Sequence, residues 1–208
     1  MRALPSALLG LTLSLPALAQ APGAKFTESF FKGDPRKLAA AFAERAYMLK
    51  PDDARHLAAL GRSQLLAGNR KKAEELFAMA KARDPKEGDV HRMILSAWLK
   101  AGQRVEALKA LEELQMMDPK AHRAFARGAI DLLEAGLDRQ ADSLMERAWA
   151  LDPKEWEPCV AFARAALRHK RSDLAARWCS RAAIAKPQEE KLWKELAQAF
   201  AEGGLEPR

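Results

Sequence analysis

The sequence predicts an all-α fold, a stack of antiparallel helix pairs, on three observations. Prolines recur at Pro51, Pro85, Pro119, Pro153 and Pro187, always 34 residues apart. Alanines keep the same period at Ala39, Ala73, Ala107, Ala141 and Ala175. A third comb runs Gly68, Gly102 and Gly136, each preceded by Ala. One period shared by three residue types marks an internal repeat, and periods of this length belong to stacked supersecondary units.

The physics of one unit can be read from residues 54–85. Leu57, Leu60, Leu65 and Leu66 recur at helical spacing. Ala67-Gly68 then stops the helix, because glycine accepts the left-handed conformation preferred just past a helix C-terminus. A second helix carries Ala73, Leu76, Phe77 and Ala80 on one face. Pro85 ends it, since proline lacks the N–H and disfavours helical geometry in the preceding residue. Alanine recurs at 73, 107, 141 and 175 because the two helices must approach closely there. The ends of the chain are partial. Residues 35–49 supply a second helix with Pro35 in its first turn, and its partner would be the short stretch Phe26–Lys32. Residues 189–202 supply one more first helix, expected to cap the stack.

The pattern resembles the tetratricopeptide repeat. That family prefers an aromatic at repeat position 4, Leu at 7, Gly or Ala at 8, Tyr at 11, Ala at 20, Phe or Tyr at 24, Ala at 27 and Pro at 32. Residues 54–87 match with Leu57, Leu60, Gly61, Gln64, Ala73, Phe77, Ala80 and Pro85. Residues 88–121 give His91, Ile94, Leu95, Trp98, Ala107, Leu111, Leu114 and Pro119. Residues 122–155 give Phe125, Gly128, Ala129, Leu132, Ala141, Met145, Ala148 and Pro153. Residues 156–189 give Cys159, Phe162, Ala163, Ala166, Ala175, Cys179, Ala182 and Pro187. Trp193, Leu196, Ala197 and Phe200 take the family positions in the closing helix of 190–208. His91, Leu95 and Leu114 depart from the pattern and suggest a slightly wider second pair. The resemblance implies a right-handed α-solenoid with a concave surface lined mainly by first helices.

The N-terminus follows a different rule. Arg2 is the only charge before Lys25, and residues 3–19 are apolar, ending Ala17-Leu18-Ala19. This is the form of a cleavable secretion signal, with cleavage expected between Ala19 and Gln20. Pro5 and Pro16 interrupt it, so it is a poor membrane span. Residues 20–53 are then a lead-in with the partial repeat, and the mature chain is expected to be periplasmic or secreted without a transmembrane segment. Removing the signal takes Arg2 alone and leaves 34 Lys+Arg against 28 Asp+Glu. That surplus is spread through helices, whereas nucleic-acid binders concentrate basic charge in a patch.

No catalytic, metal or cofactor constellation is legible. His56, His91, His122 and His169 lack metal-ligand spacing. Glu74-Glu75 and Glu112-Glu113 alternate with Lys and Arg as solvated helix faces do. Trp98 and Trp193 fall at repeat core positions, while Trp149, Trp156 and Trp178 cluster at the third-to-fourth junction as inter-repeat packing. In the family register, position 4 (Cys159) and position 24 (Cys179) lie at one level of a helix pair, so a disulfide is expected. The alternative is two small apolar core residues.

In the family, positions 2, 5, 6, 9 and 13 line the concave surface. Over the four full units they hold Arg55, Arg62, Arg92, Lys100, Arg123, Arg127, Arg164 and Arg168, against Asp89, Glu134 and Glu157. The resemblance implies a non-catalytic interaction scaffold that binds a protein or peptide of acidic character in a basic groove, and the secretion signal leads to the expectation that it works in the bacterial envelope. The alternative is an accessory subunit that binds an anionic envelope polymer or regulates an associated enzyme.

Overall fold

Each element is built the way the repeat prescribes. The computed structural model describes residues 32–117 and 121–203, and ten α-helices occur among them. They are α1 (Pro35–Leu49), α2 (Ala54–Leu66), α3 (Arg70–Arg83), α4 (Gly88–Lys100) and α5 (Arg104–Gln115), followed by α6 (His122–Glu134), α7 (Asp138–Leu151), α8 (Glu157–Arg168), α9 (Ser172–Ala185) and α10 (Glu190–Gly203). The described residues contain no strand. The expected signal at 1–19 and most of the stretch Phe26–Lys32 lie outside them.

Within a pair, the first helix ends in a Schellman turn. Gly68 N–H donates to Leu65 O and Asn69 N–H to Gln64 O, satisfying carbonyls the helix leaves open. Gly68, Gly102 and Gly136 hold φ of 89°, 71° and 73°. The fourth turn keeps the geometry without glycine: Lys170 takes φ 59°, and Arg171 N–H reaches Ala166 O at 2.8 Å. The second helices α1, α3, α7 and α9 end in an extended residue before proline, as Asp84 does before Pro85. Acidic side chains cap several helix starts: Asp34 accepts from Arg36 N–H at 2.8 Å, and Asp53 from Arg55 N–H at 2.9 Å.

The core runs continuously along the stack. Ala73, Ala107, Ala141 and Ala175 are fully buried, as are Leu57, Phe125 and Phe162 on the facing helices. A Cβ built on Gly61 would stand 2.6 Å from Phe77 Cε1 and 3.3 Å from Ala73 O, so positions 8 and 20 are in close contact. Leu95 and Leu114, both fully buried, find room because the next first helix carries Gly128, whose missing side chain leaves space for both. Trp178 is buried edge-on to Phe162 (5.8 Å) and Trp149 (6.4 Å), and Trp156 is buried at the start of α8, with Lys191 Nζ of α10 5.7 Å from its ring centroid. Trp149 and Trp178 are inter-repeat packing between the third and fourth units, and Trp156 does not join their ring pair. Trp193 differs from the expectation. It sits at a core position of α10 but is 49% exposed, because no second helix covers that face in the described residues.

Candidate functional site

First helices of successive units pack directly on one another: α2 on α4, α4 on α6, α6 on α8 and α8 on α10. The backbones of successive second helices stand farther apart and meet through long side chains, as Lys81 meets Glu113 and Trp149 meets Trp178. A stack tight on one side and splayed on the other curves toward the tight side, so the row of first helices forms the concave wall.

All eight cations expected in the groove stand on these first helices, but most are neutralised there. Arg92 bridges Asp131 (3.1 Å) and Asp89 (3.7 Å), Arg127 pairs with Asp89 (3.3 Å), and Arg123 meets Glu155 at 2.6 Å. Arg168 lies 3.5 Å from Glu134, and Arg164 lies 3.6 Å from Glu202 and 3.9 Å from Glu195. Arg55 folds back on Asp53 at 3.1 Å, and that hydrogen bond holds the Asp53 carboxyl below its ordinary range. The groove is therefore a ladder of ion pairs, not a strip of unbalanced positive charge. Counting positions 2, 5, 6, 9 and 13 of the full units missed acids at other positions, notably Asp53, Asp131 and Glu155, and those of the closing helix. Exposed pairs of this kind stabilise by at most about 1 kcal/mol each. Their main effect is to fix how one unit sits on the next.

Asp131 is the groove residue that sequence reasoning did not single out. Burial pushes its carboxyl above the ordinary value, against the opposing pull of Arg92, a hydrogen bond with Ser96, and Lys100. Ser96, Lys100, Asp131 and Glu134 line a depression of about 210 Å³. A second, of about 250 Å³, lies between α6 and α8 and is lined by Arg123, Arg127, Ile130, Glu155 and Ala161 among others.

A further depression, of about 350 Å³, lies at the N-terminal end of the stack. Ala39 and Ala43 of α1, Ala59 and Leu66 of α2, and Met93 of α4 form an apolar floor, with Arg36, Arg62 and Ser63 around it. Ser63 Oγ is spent on Ala59 O at 3.1 Å. Among the described residues, neither Arg36 nor Arg62 has a carboxylate within ion-pair distance. Of the expected cations, Arg62 is thus the one best placed to meet an external anion.

One trio has metal-ligand character. His122, Asp152 and Glu155 bring one donor atom each within 4.8 Å of one another. Glu155 already bridges His122 (3.0 Å) and Arg123 (2.6 Å), and that guanidinium disfavours a cation beside it. The trio is an ion-pair cluster within the third unit, tying the start of α6 to the turn that follows α7. Of the other rings, His56 meets Lys50 O at 3.3 Å, and His91 meets Pro85 O at 3.2 Å and Glu113 of α5 at 3.7 Å.

The expected disulfide is not formed in the structure. Cys159 on α8 and Cys179 on α9 are both buried free thiols. Burial pushes the Cys159 thiol up to about 12 and raises that of Cys179, so the thiolate that disulfide chemistry requires is disfavoured. They serve as small apolar residues at positions 4 and 24.

No family model matches the chain, and no curated protein matches it. The chain folds as a tetratricopeptide-like stack of helix pairs. Solved structures similar to it include YrrB, described as a TPR protein with an unusual peptide-binding site, at 19% identity over 82% of this chain and 84% of that one, TM-score 0.43. Others are MamA, at 16% identity over 74% and 84% with TM-score 0.45, and Pseudomonas aeruginosa pilF, at 19% over 82% and 82% with TM-score 0.44. These are likenesses of general outline, and the fold stands on the chain's own repeat and helix pairs.

Proposed function

We propose that this chain is a non-catalytic protein-interaction scaffold that takes an extended peptide segment along its first helices. The observation that carries this reading is the N-terminal depression. It combines an apolar floor of Ala39, Ala43, Ala59, Leu66 and Met93 with two arginines, Arg36 and Arg62, that no described carboxylate neutralises. A pocket with an apolar body and a few placed polar groups is the usual form of a specific binding site. Its preferred occupant is an apolar side chain flanked by a carboxylate. The ion pairs along the rest of the wall count against a long anionic polymer, which would need unpaired cations throughout.

Selection of a random peptide library against the purified protein tests the reading. It should enrich segments that place Asp or Glu next to Leu, Ile, Met or Phe. Enrichment without acidic residues, or none above background, would refute it. We also propose that the protein works in the bacterial envelope after cleavage between Ala19 and Gln20, supported by the apolar run ending in Ala-Leu-Ala. Mass spectrometry of protein from its host should find Gln20 as the first residue. A cytoplasmic chain beginning at Met1 would contradict export.

A further inference from the structure

The two ends of the stack expose complementary halves of a helix pair. In the complete units, positions 4, 8 and 11 of the first helix are covered by the second helix. Phe125, Ala129 and Leu132 of the third unit are fully buried there. α10 carries Trp193, Ala197 and Phe200 at the same positions, and these lie on one stripe at i, i+4 and i+7. Trp193 is 49% and Phe200 50% exposed, and Ala197 is exposed between them. The other side of α10 is spent: Leu192, Leu196 and Ala199 are buried, with α10 packed on α8 and α9.

At the opposite end, α1 is a second helix by register. Ala39, Ala43 and Ala46 take positions 20, 24 and 27, where the complete units bury residues such as Ala141, Met145 and Ala148. Here Ala39 is exposed, and Ala43 and Ala46 are only half-buried. The two surfaces match in shape. The aromatic pair of α10 would lie over the small residues of α1. Ala197 would face Ala39, in the close contact that positions 8 and 20 make between α2 and α3. They match in charge as well: α10 has three acids against two bases, and α1 three bases against one acid.

We propose that α10 of one copy docks on α1 of a second copy, rebuilding a complete helix pair between two chains. The two faces lie at opposite ends of the stack, so the contact is heterologous and repeats head to tail. Each joint keeps the 34-residue register and continues the row of first helices from one copy to the next. The joint covers Ala39 and Ala43, part of the floor of the N-terminal depression, so it competes with any segment bound there but does not require one.

Sedimentation velocity on the purified protein over a range of concentrations tests it, together with Trp193→Glu and Ala39→Glu. Both residues are exposed in the single chain, so each variant should keep its helical circular dichroism. The unaltered protein should form a concentration-dependent series extending beyond a dimer, and each variant alone should stay monomeric. Mixing the two variants should restore a dimer and stop there, since the mixture has one intact face of each kind. A monomer at every concentration of unaltered protein overturns the proposal. So does a dimer of Ala39→Glu alone, which would show α10 pairing with α10, and so does a mixture that stays monomeric. A variant-free check is amide exchange, which should slow in both α1 and α10 as concentration rises. Unchanged exchange in either helix counts equally against the joint.

Discussion

Gly61→Ala sets two effects against each other at the closest helix contact of the first unit. Gly61 lies inside α2, where alanine is favoured over glycine by about 1 kcal/mol in helix propensity. The added Cβ, however, would stand 2.6 and 2.7 Å from two ring carbons of Phe77. Carbon atoms prefer about 3.5–4.0 Å, so the ring must retreat by roughly 1 Å. It has little room. Phe77 is 3% exposed and sits edge-on to Trp98, with ring centroids 5.6 Å apart. Overpacking of this kind costs about 1–3 kcal/mol. The net expectation is a loss of up to about 2 kcal/mol, with the propensity gain included. Gly128→Ala is the control, because its Cβ would meet methyl tips of Leu114 and Leu144 at 3.1 and 3.2 Å, which a small rotation relieves. That variant should be close to neutral. Urea unfolding followed by circular dichroism compares the two midpoints at constant slope. If Gly61→Ala is as stable as the unaltered chain, or if Gly128→Ala is the worse of the two, the close packing of α2 on α3 is wrong.

Three further outcomes are expected. Lys170→Gly should stabilise by roughly 1 kcal/mol, since lysine holds φ 59° where glycine meets no Cβ penalty; a lower melting temperature would contradict this. Asp131→Asn should raise stability at neutral pH. A carboxyl whose native pKa is raised stabilises below its unfolded pKa and loses that contribution as pH rises through the native value, so the variant's advantage should vanish in acid. An advantage that grows on acidification would show the sign to be wrong. Cys159 and Cys179 should resist a thiol reagent in the native protein, and both should react after unfolding without reductant. Finding no reactive thiol then would establish the disulfide.

What the sequence disclosed follows from what is local. Residues 35–49 could be assigned as a helix because Pro35 presets its first turn and alanines keep the repeat register along one face, and α1 spans those residues. The turn at Lys170 could be placed by period alone, although its residue type argues against the left-handed conformation it adopts. Contacts between units were less accessible. Arg92 and Asp131 are 39 residues apart, so reading their pairing requires the way α4 lies on α6. The same holds for Gly128, whose small size answers to Leu95 and Leu114 on other helices. Trp193 was misassigned for a related reason: a core position is buried only where a second helix covers it.

The binding role rests most directly on Arg62. A peptide enriched by selection should be titrated against the unaltered protein, Arg62→Glu, Arg36→Glu and a distant control, Lys109→Glu on the outer helix α5. Reversal at Arg62 or Arg36 should weaken binding at least tenfold, the effect of losing about 1.4 kcal/mol, with melting temperature unchanged and the control binding normally. Equal affinity across all four proteins would show that the N-terminal depression is not the binding site.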